Sequence, residues 1–423
     1  MKDKSDVKKL YEKYGDKICL APFLNNFYIS GGVVNKGQTY TNQLKPCSVI
    51  KDARGEERYS WKIKNSSIFE TRNSPEWIEL RRAFLDGKFH DIEECRSCSQ
   101  AEKLEASSSR KLNNEYLFEH LEIDIIAEME KIVANGLVAD TIHALDYMPS
   151  NYCNYACVMC AGGASSQRLI FEIKNGSTQR YVQNQVDSDF FERVRDVKIL
   201  GFTGGETILQ PEVIKLIDYL IEEDLAKNII ITILTNASSF PDNLIAKFEK
   251  FKRVLYTISI DGIGDVIEYQ RRGSKWSDVS ANAIKINECP TTHNIVNYVA
   301  TCINLLSAMD FVDWCHSNNL KFISISPVYQ QKLSLSAMPP ELAKLALDRL
   351  KEGRKRYEHY LDPEYDNFQQ NYVFTIDRLI GTIENAVFNP EALDHFIEHI
   401  KREDVVSKKP LREVVTEWAP WFV

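Results

Sequence analysis

The segment CNYACVMC places Cys153, Cys157 and Cys160 on one short stretch, with three and then two residues between them. Three closely spaced thiolates can hold three irons of a cubane. No further Cys or His follows before Cys289 to close the fourth position, and an open metal position is what a catalytic site keeps. Two other readings stand beside this one: a structural zinc that borrows a distant fourth ligand, or free cysteines in a core. Zinc more typically draws on two paired ligand sets, and only one is evident here.

A second group comes from CLAPF, KPC and ECRSC, which contribute Cys19, Cys47, Cys95 and Cys98. Four thiolates would complete a tetrahedral zinc site or a fully ligated iron–sulfur cluster; unligated thiols are the remaining reading. The start, MKDKSDVKKLYEKYGDK, has no apolar stretch of the kind an export signal needs. A cytoplasmic location is therefore expected, where thiols stay reduced and a disulfide framework is not expected. Cys289, Cys302 and Cys315 have no metal-like spacing and read as core thiols. The histidines form no ligand-like pair, although His90 lies near the first cysteine group.

The elements that must position these residues change character along the chain. Up to about residue 115 turn formers dominate, apart from a helix in NSPEWIELRRAFLDGK, with Ser74 at its start and Trp77, Leu80, Phe84 and Leu85 at helical spacing. A second helix is expected from about Tyr116 to Asn135, with Leu117, Leu121, Ile125, Met129 and Ile132 on one face and Gly136 at its end. From His143 to about residue 330, the runs HALDYM, VKILGF, IIITIL, VLYTISI, IVNYVATCI and KFISIS alternate with amphipathic segments such as PEVIKLIDYLIEED. Six strands separated by helices make an α/β domain with a parallel sheet, either doubly wound or a partial barrel, and ligands then sit at the carboxyl ends of the strands. Residues 331–423 read as helical.

Length and charge bound the rest. A chain of 423 residues suggests two or three domains at roughly 150 residues each. With 52 basic and 60 acidic side chains the formal charge is −8, so there is no broad positive field for coating nucleic acid. No apolar run reaches the roughly 18 residues of a membrane span.

On these residues the chain resembles the radical S-adenosylmethionine (radical SAM) enzymes, which carry this three-cysteine spacing at the end of the first strand of a partial (β/α)6 TIM-like barrel. Gly204, Gly205 and Glu206 in ILGFTGGET look like that family's GGE motif for the methionine amino group. Glycines let backbone approach a ligand closely, and a carboxylate accepts from an ammonium. The resemblance makes Ser259 and Asp261 of TISIDG candidates for the ribose hydroxyls. Arg271 of YQRRG becomes the candidate for the methionine carboxylate, with Arg272 able to exchange roles with it. Met159 stands where the family usually has an aromatic residue against the adenine; it is apolar and adaptable enough to cover a purine.

The first four cysteines, with the SGGVVNKG turn and the FLDGK helix end, resemble the auxiliary-cluster (SPASM or twitch) module of such enzymes. Those modules generally follow the barrel, whereas here the cysteines precede it. The resemblance implies a SAM-binding 4Fe-4S cluster on Cys153, Cys157 and Cys160, and a second, auxiliary 4Fe-4S cluster on Cys19, Cys47, Cys95 and Cys98. It also implies a 5'-deoxyadenosyl radical that abstracts hydrogen from a peptide, protein or small-molecule substrate, and an electron donor such as a flavodoxin or ferredoxin. Glu102 and Arg110, just after Cys98, are candidates to reach the active site. The competing class is an iron–sulfur or zinc protein with an electron-transfer or scaffold role. The expected organisation is a twitch-like unit at 1–115, a linker helix at 116–142, the barrel at 143–330 and a helical region at 331–423.

Overall fold

The structure, a computed structural model, describes residues 5–35, 38–39, 43–48, 50, 63, 67–103, 108–182, 190–289, 292–320, 323–328, 331–362 and 367–422. Lys36 and Gly37 of the SGGVVNKG turn, residues 104–107 of the polar stretch after Cys98, and residues 329–330 at the expected end of the barrel lie outside them.

Eleven strands occur among the described residues: β1 (Phe27–Ile29), β2 (Gly32–Asn35), β3 (Gln38–Thr39), β4 (Gln43–Lys45), β5 (Ala144–Met148), β6 (Arg180–Val182), β7 (Ile199–Phe202), β8 (Ile230–Thr235), β9 (Arg253–Ser259), β10 (Thr292–Ala300) and β11 (Ile323–Pro327). The six apolar runs of the sequence are β5, β7, β8, β9, β10 and β11. They pair in parallel with their neighbours in chain order, rich in Val and Ile as strands between helical layers should be. The result is an α/β fold around a mostly parallel sheet. On β9 the side chains alternate, with Val254, Tyr256 and Ile258 buried and Arg253, Leu255, Thr257 and Ser259 half-buried on the other face.

The sheet is larger than the sequence reading expected. β1 pairs in parallel with β5, placing Phe27 opposite Asp146, and β4 closes that edge antiparallel to β1. A separate small sheet has the order β3-β2-β6. The N-terminal segment is also more regular than the loop-rich unit anticipated, with helices at Ser5–Tyr14, Ile68–Arg72, Pro75–Leu85 and Arg96–Lys103. Trp77, Leu80 and Phe84 of the third are fully buried.

The single helix expected from Tyr116 to Asn135 is two helices, Ser109–His120 and Ile125–Asn135. The apolar face is real, since Leu117, Leu121, Ile125, Met129 and Ile132 are all buried. The axis breaks because Asp124 adopts an extended backbone and its carboxylate accepts from the Ala127 N–H at 3.0 Å, capping a new helix that ends at Gly136 with φ +70°. After the sheet the chain is helical at Pro340–Lys355, Asn367–Glu384 and Pro390–Asp404, as its composition indicated. Among the described residues no helix is long and apolar enough to cross a membrane.

Candidate active site

The loop after β5 carries the three clustered cysteines, and its backbone is fastened rather than free. Val158 N–H donates to Gln270 O at 2.8 Å and Ala156 N–H to Arg272 O at 2.9 Å, so the loop rests on the turn that carries the arginine pair. Ser166 Oγ bridges Cys153 by accepting from its N–H and donating to its O, each at 3.1 Å, and Ser165 Oγ donates to Tyr155 O at 2.5 Å. Cys153, Tyr155 and Cys157 form a small buried cluster with Met159 and Cys160 packed against it.

Burial pushes the Cys153 thiol up to about 12. The hydrogen bond between Cys157 and Cys160 raises the first and lowers the second, and the Arg271 guanidinium lowers both. Low-pKa thiols are the ones that ligate metal. Among the described residues no three Cys, His, Asp or Glu side chains converge as ligands of one metal ion must. A cubane instead takes its thiols around its corners.

The GG pair works differently from the sequence expectation. Gly204 and Gly205 have φ of +81° and +53°. A Cβ on Gly205 would overlap the Tyr152 carbonyl, and one on Gly204 would stand 2.8 Å from Ser150 O. The glycines therefore let the turn after β7 press against the backbone leading into the cysteine loop. Gly205→Ala should lower unfolding stability by about 2–5 kcal/mol, from the αL backbone and the overlap together. Urea denaturation of the purified protein measures this.

The same turn buries Glu206, which is 1% exposed. Thr235 Oγ1 donates to one of its oxygens and Asn236 N–H to the other, both at 2.6 Å. Burial raises its carboxyl to about 7 despite these donors. Held protonated by burial, this acid ionises at a cost to folding, so its stabilising contribution declines as pH rises from its unfolded value near 4.5 through about 7. Binding of an ammonium has the opposite sign, because it needs the carboxylate. On the role that the resemblance implies for Glu206, SAM affinity should fall about tenfold per pH unit below 7. Glu206→Gln should weaken binding by about 10- to 100-fold and remove that pH dependence. Equilibrium dialysis of SAM between pH 5 and 8 checks both.

Asp261, proposed for a ribose, is fully buried; one oxygen accepts from Val299 N–H at 2.8 Å and the other pairs with Arg271 Nη2 at 2.7 Å. It holds Arg271 in place instead of offering a free oxygen. Arg271 Nε is buried with no hydrogen-bond partner among the described residues, a donor awaiting an acceptor. Ser259 ends β9, and by alternation shares a face with Arg253, Leu255 and Thr257.

Arg272 turns away to the C-terminal helix, where its Nη2 reaches Glu403 Oε2 at 2.6 Å. Glu403 is fully buried and also binds Arg168 Nη1 at 2.8 Å, and both guanidinium groups lie over the Phe171 ring. The sequence reading gave the last 90 residues no chemical part. FIEHIKRED reads as an ordinary charged helix, so nothing marked Glu403 as the tie between this region and the turn under the cysteine loop.

Cys19, Cys47, Cys95 and Cys98 line one cavity of about 190 Å³. Burial raises the Cys19, Cys95 and Cys98 thiols, and the charges of neighbouring cysteines raise Cys19 and Cys95 further. Glu102 and Arg110 do not extend to the cysteine loop after β5. They pair with each other at 2.8 Å, and Arg110 lines this N-terminal cavity, donating to Ile18 O at 2.5 Å. His90 is engaged with Ser99 Oγ at 2.8 Å. Cys302 and Cys315 are fully buried, while Cys289 is half-buried beside the Lys285 carbonyl.

Residues 147–299 match the family described as Radical SAM superfamily. That span holds the cysteine loop, the GGE turn and the Arg271–Asp261 pair. No curated protein matches the sequence. Similar solved structures include anSMEcpe with bound AdoMet, 17% identical over 52% of this chain and 62% of that one, with a TM-score of 0.39. Streptococcus suis SuiB bound to S-adenosylmethionine is 14% identical over 71% of this chain and 65% of that one, with a TM-score of 0.36. TYW1 with a lysine-pyruvate adduct bound is 15% identical over 52% and 72%, with a TM-score of 0.31. The chain spans just over six-tenths of the anSMEcpe and SuiB structures it matches.

Proposed function

We propose that this protein is a radical SAM enzyme with an auxiliary cluster ahead of a partial-barrel core. The observation that carries the reading is the meeting of three turns from the same end of the sheet: the cysteine loop after β5, the GGE turn after β7 and the Arg271 turn that ends the helix following β9. Cys153, Cys157 and Cys160 would hold a 4Fe-4S cluster. Reduced and bound there, such a cluster would supply the electron for cleavage of SAM to methionine and a 5'-deoxyadenosyl radical able to take hydrogen from substrate.

The chain's own residues bind and orient. Glu206, steadied by Thr235 and Asn236, accepts the methionine ammonium, and Arg271 Nε donates to its carboxylate. Asp261 keeps the guanidinium fixed, Ser259 offers a hydroxyl on the sheet face, and Met159 covers the adenine. The buried Cys153–Tyr155–Cys157 cluster keeps water from the loop. The four N-terminal thiols surround a void instead of converging on a point, which suits a second 4Fe-4S cluster better than zinc. A low-potential protein donor, flavodoxin or ferredoxin in type, would supply the electron.

The test is anaerobic reconstitution followed by SAM and dithionite. About eight irons per chain and 5'-deoxyadenosine are expected. About four irons would remove the auxiliary cluster, stoichiometric zinc would favour the rival metal, and no 5'-deoxyadenosine would overturn the reading.

A further inference from the structure

The four-thiol cavity shares a wall with a second cavity of about 500 Å³ on the sheet face, a size that suits a small-molecule or peptide ligand. Asn25, Asn113 and Asp146 line both. Asp146 sits in the middle of β5, a strand that should be apolar, and a lone acid in such a run is the signal the sequence reading of HALDYM passed over. Gly201 lies opposite it in register, and a Cβ there would overlap the Asp146 carboxylate, so the missing side chain leaves that carboxylate its place over β7. Burial lifts the acid to about 6 against the opposing influence of Asn25.

The other polar groups complement it. Asn113 Nδ2 is buried and has no partner among the described residues. Arg253, at the start of β9, lines the same cavity, and its guanidinium has no ion-pair partner among the described residues. Asp146 and Arg253 stand three strands apart in the order β5-β7-β8-β9 and two residues out of register, since Leu255 is level with Asp146, which is roughly 16 Å between backbones. Their side chains close part of that span, leaving the length of two or three residues of extended chain.

We propose that this cavity is the substrate site, and that it takes a molecule carrying amide and carboxylate groups together: a short peptide segment or an acylated amino acid. An amide N–H meets Asp146, a carbonyl accepts from Asn113 Nδ2 and a carboxylate pairs with Arg253. Asp146 lies two residues before the end of β5, about 7 Å below the start of the cysteine loop, with the four-thiol cavity on its other side. The inference rests on the proposed radical chemistry only for what happens after binding.

Triglycine and triglycinamide, titrated calorimetrically into the reconstituted full-length protein without SAM, test it. Triglycine should bind at least about tenfold more tightly than its amide. Arg253→Gln should erase that preference, Arg253→Lys should keep most of it, and Asp146→Asn should weaken both peptides by about tenfold. Circular dichroism confirms that each variant is folded. Equal affinity of the two peptides for the wild type, a carboxylate preference that survives in Arg253→Gln, or no binding of triglycine overturns the proposal. Absence of 5'-deoxyadenosine with peptide binding intact would overturn the radical reading and leave this site standing.

Discussion

With Cys153, Cys157 and Cys160 all replaced by Ala, the reconstituted protein should form no 5'-deoxyadenosine from SAM and dithionite, and its iron content should fall by about four per chain. The loss is complete because nothing else on this loop can ligate iron. The fold should survive the change. The loop is held by main-chain bonds to Gln270 and Arg272 and by Ser165 and Ser166, and the two hydrogen bonds that use the Cys153 sulfur, from Tyr155 N–H at 3.4 Å and Asn236 Nδ2 at 3.9 Å, are weak. Circular dichroism separates loss of the cluster from loss of structure. Residual 5'-deoxyadenosine in a folded triple variant would remove these cysteines from the chemistry.

Replacing Cys95 and Cys98 together by Ala should have the next largest effect, and a different one. Both line the N-terminal cavity, from the turn and helix that follow Phe89, and neither belongs to the cysteine loop. Iron should fall by about four per chain, native-substrate turnover should be suppressed, and SAM cleavage uncoupled from substrate should partly persist. Thermal unfolding should show the N-terminal helices loosening first. Full turnover in this variant would deny the second site both a structural and an electron-relay part. Complete loss of SAM cleavage with the first cluster intact would mean that β1, paired to β5 beside the cysteine loop, transmits the damage.

Much of this arrangement was legible in the residues because its signals are local. Six apolar runs bounded by helical segments are six parallel strands in chain order, and the motifs fall at their carboxyl ends. What was not legible depends on tertiary partners. β1 and β4 are three residues each, too short for a period to register, and they become strands only by pairing with a sheet begun about a hundred residues later. Asp261 looked like a free ligand group because sequence order cannot show that Arg271 and Val299 take its oxygens. Glu403 was invisible for the same reason: its partners Arg168 and Arg272 lie more than 130 residues away. The Tyr116 helix was drawn through its break because Leu121 and Ile125 keep the apolar face on both sides of it.

The parallel pairing of β1 with β5 also sets an order of events during synthesis. Ile29 leaves the ribosome about 115 residues before Ala144, which at 5–20 residues per second is a delay of roughly 6–23 seconds. Throughout that interval β1 has no parallel neighbour, and all four cavity cysteines emerge ahead of Asp146, which closes one side of their cavity. Metal delivered to the nascent chain would therefore meet an unformed site. Loading of the N-terminal cysteines belongs after the central sheet has assembled, so maturation factors should act on the released chain.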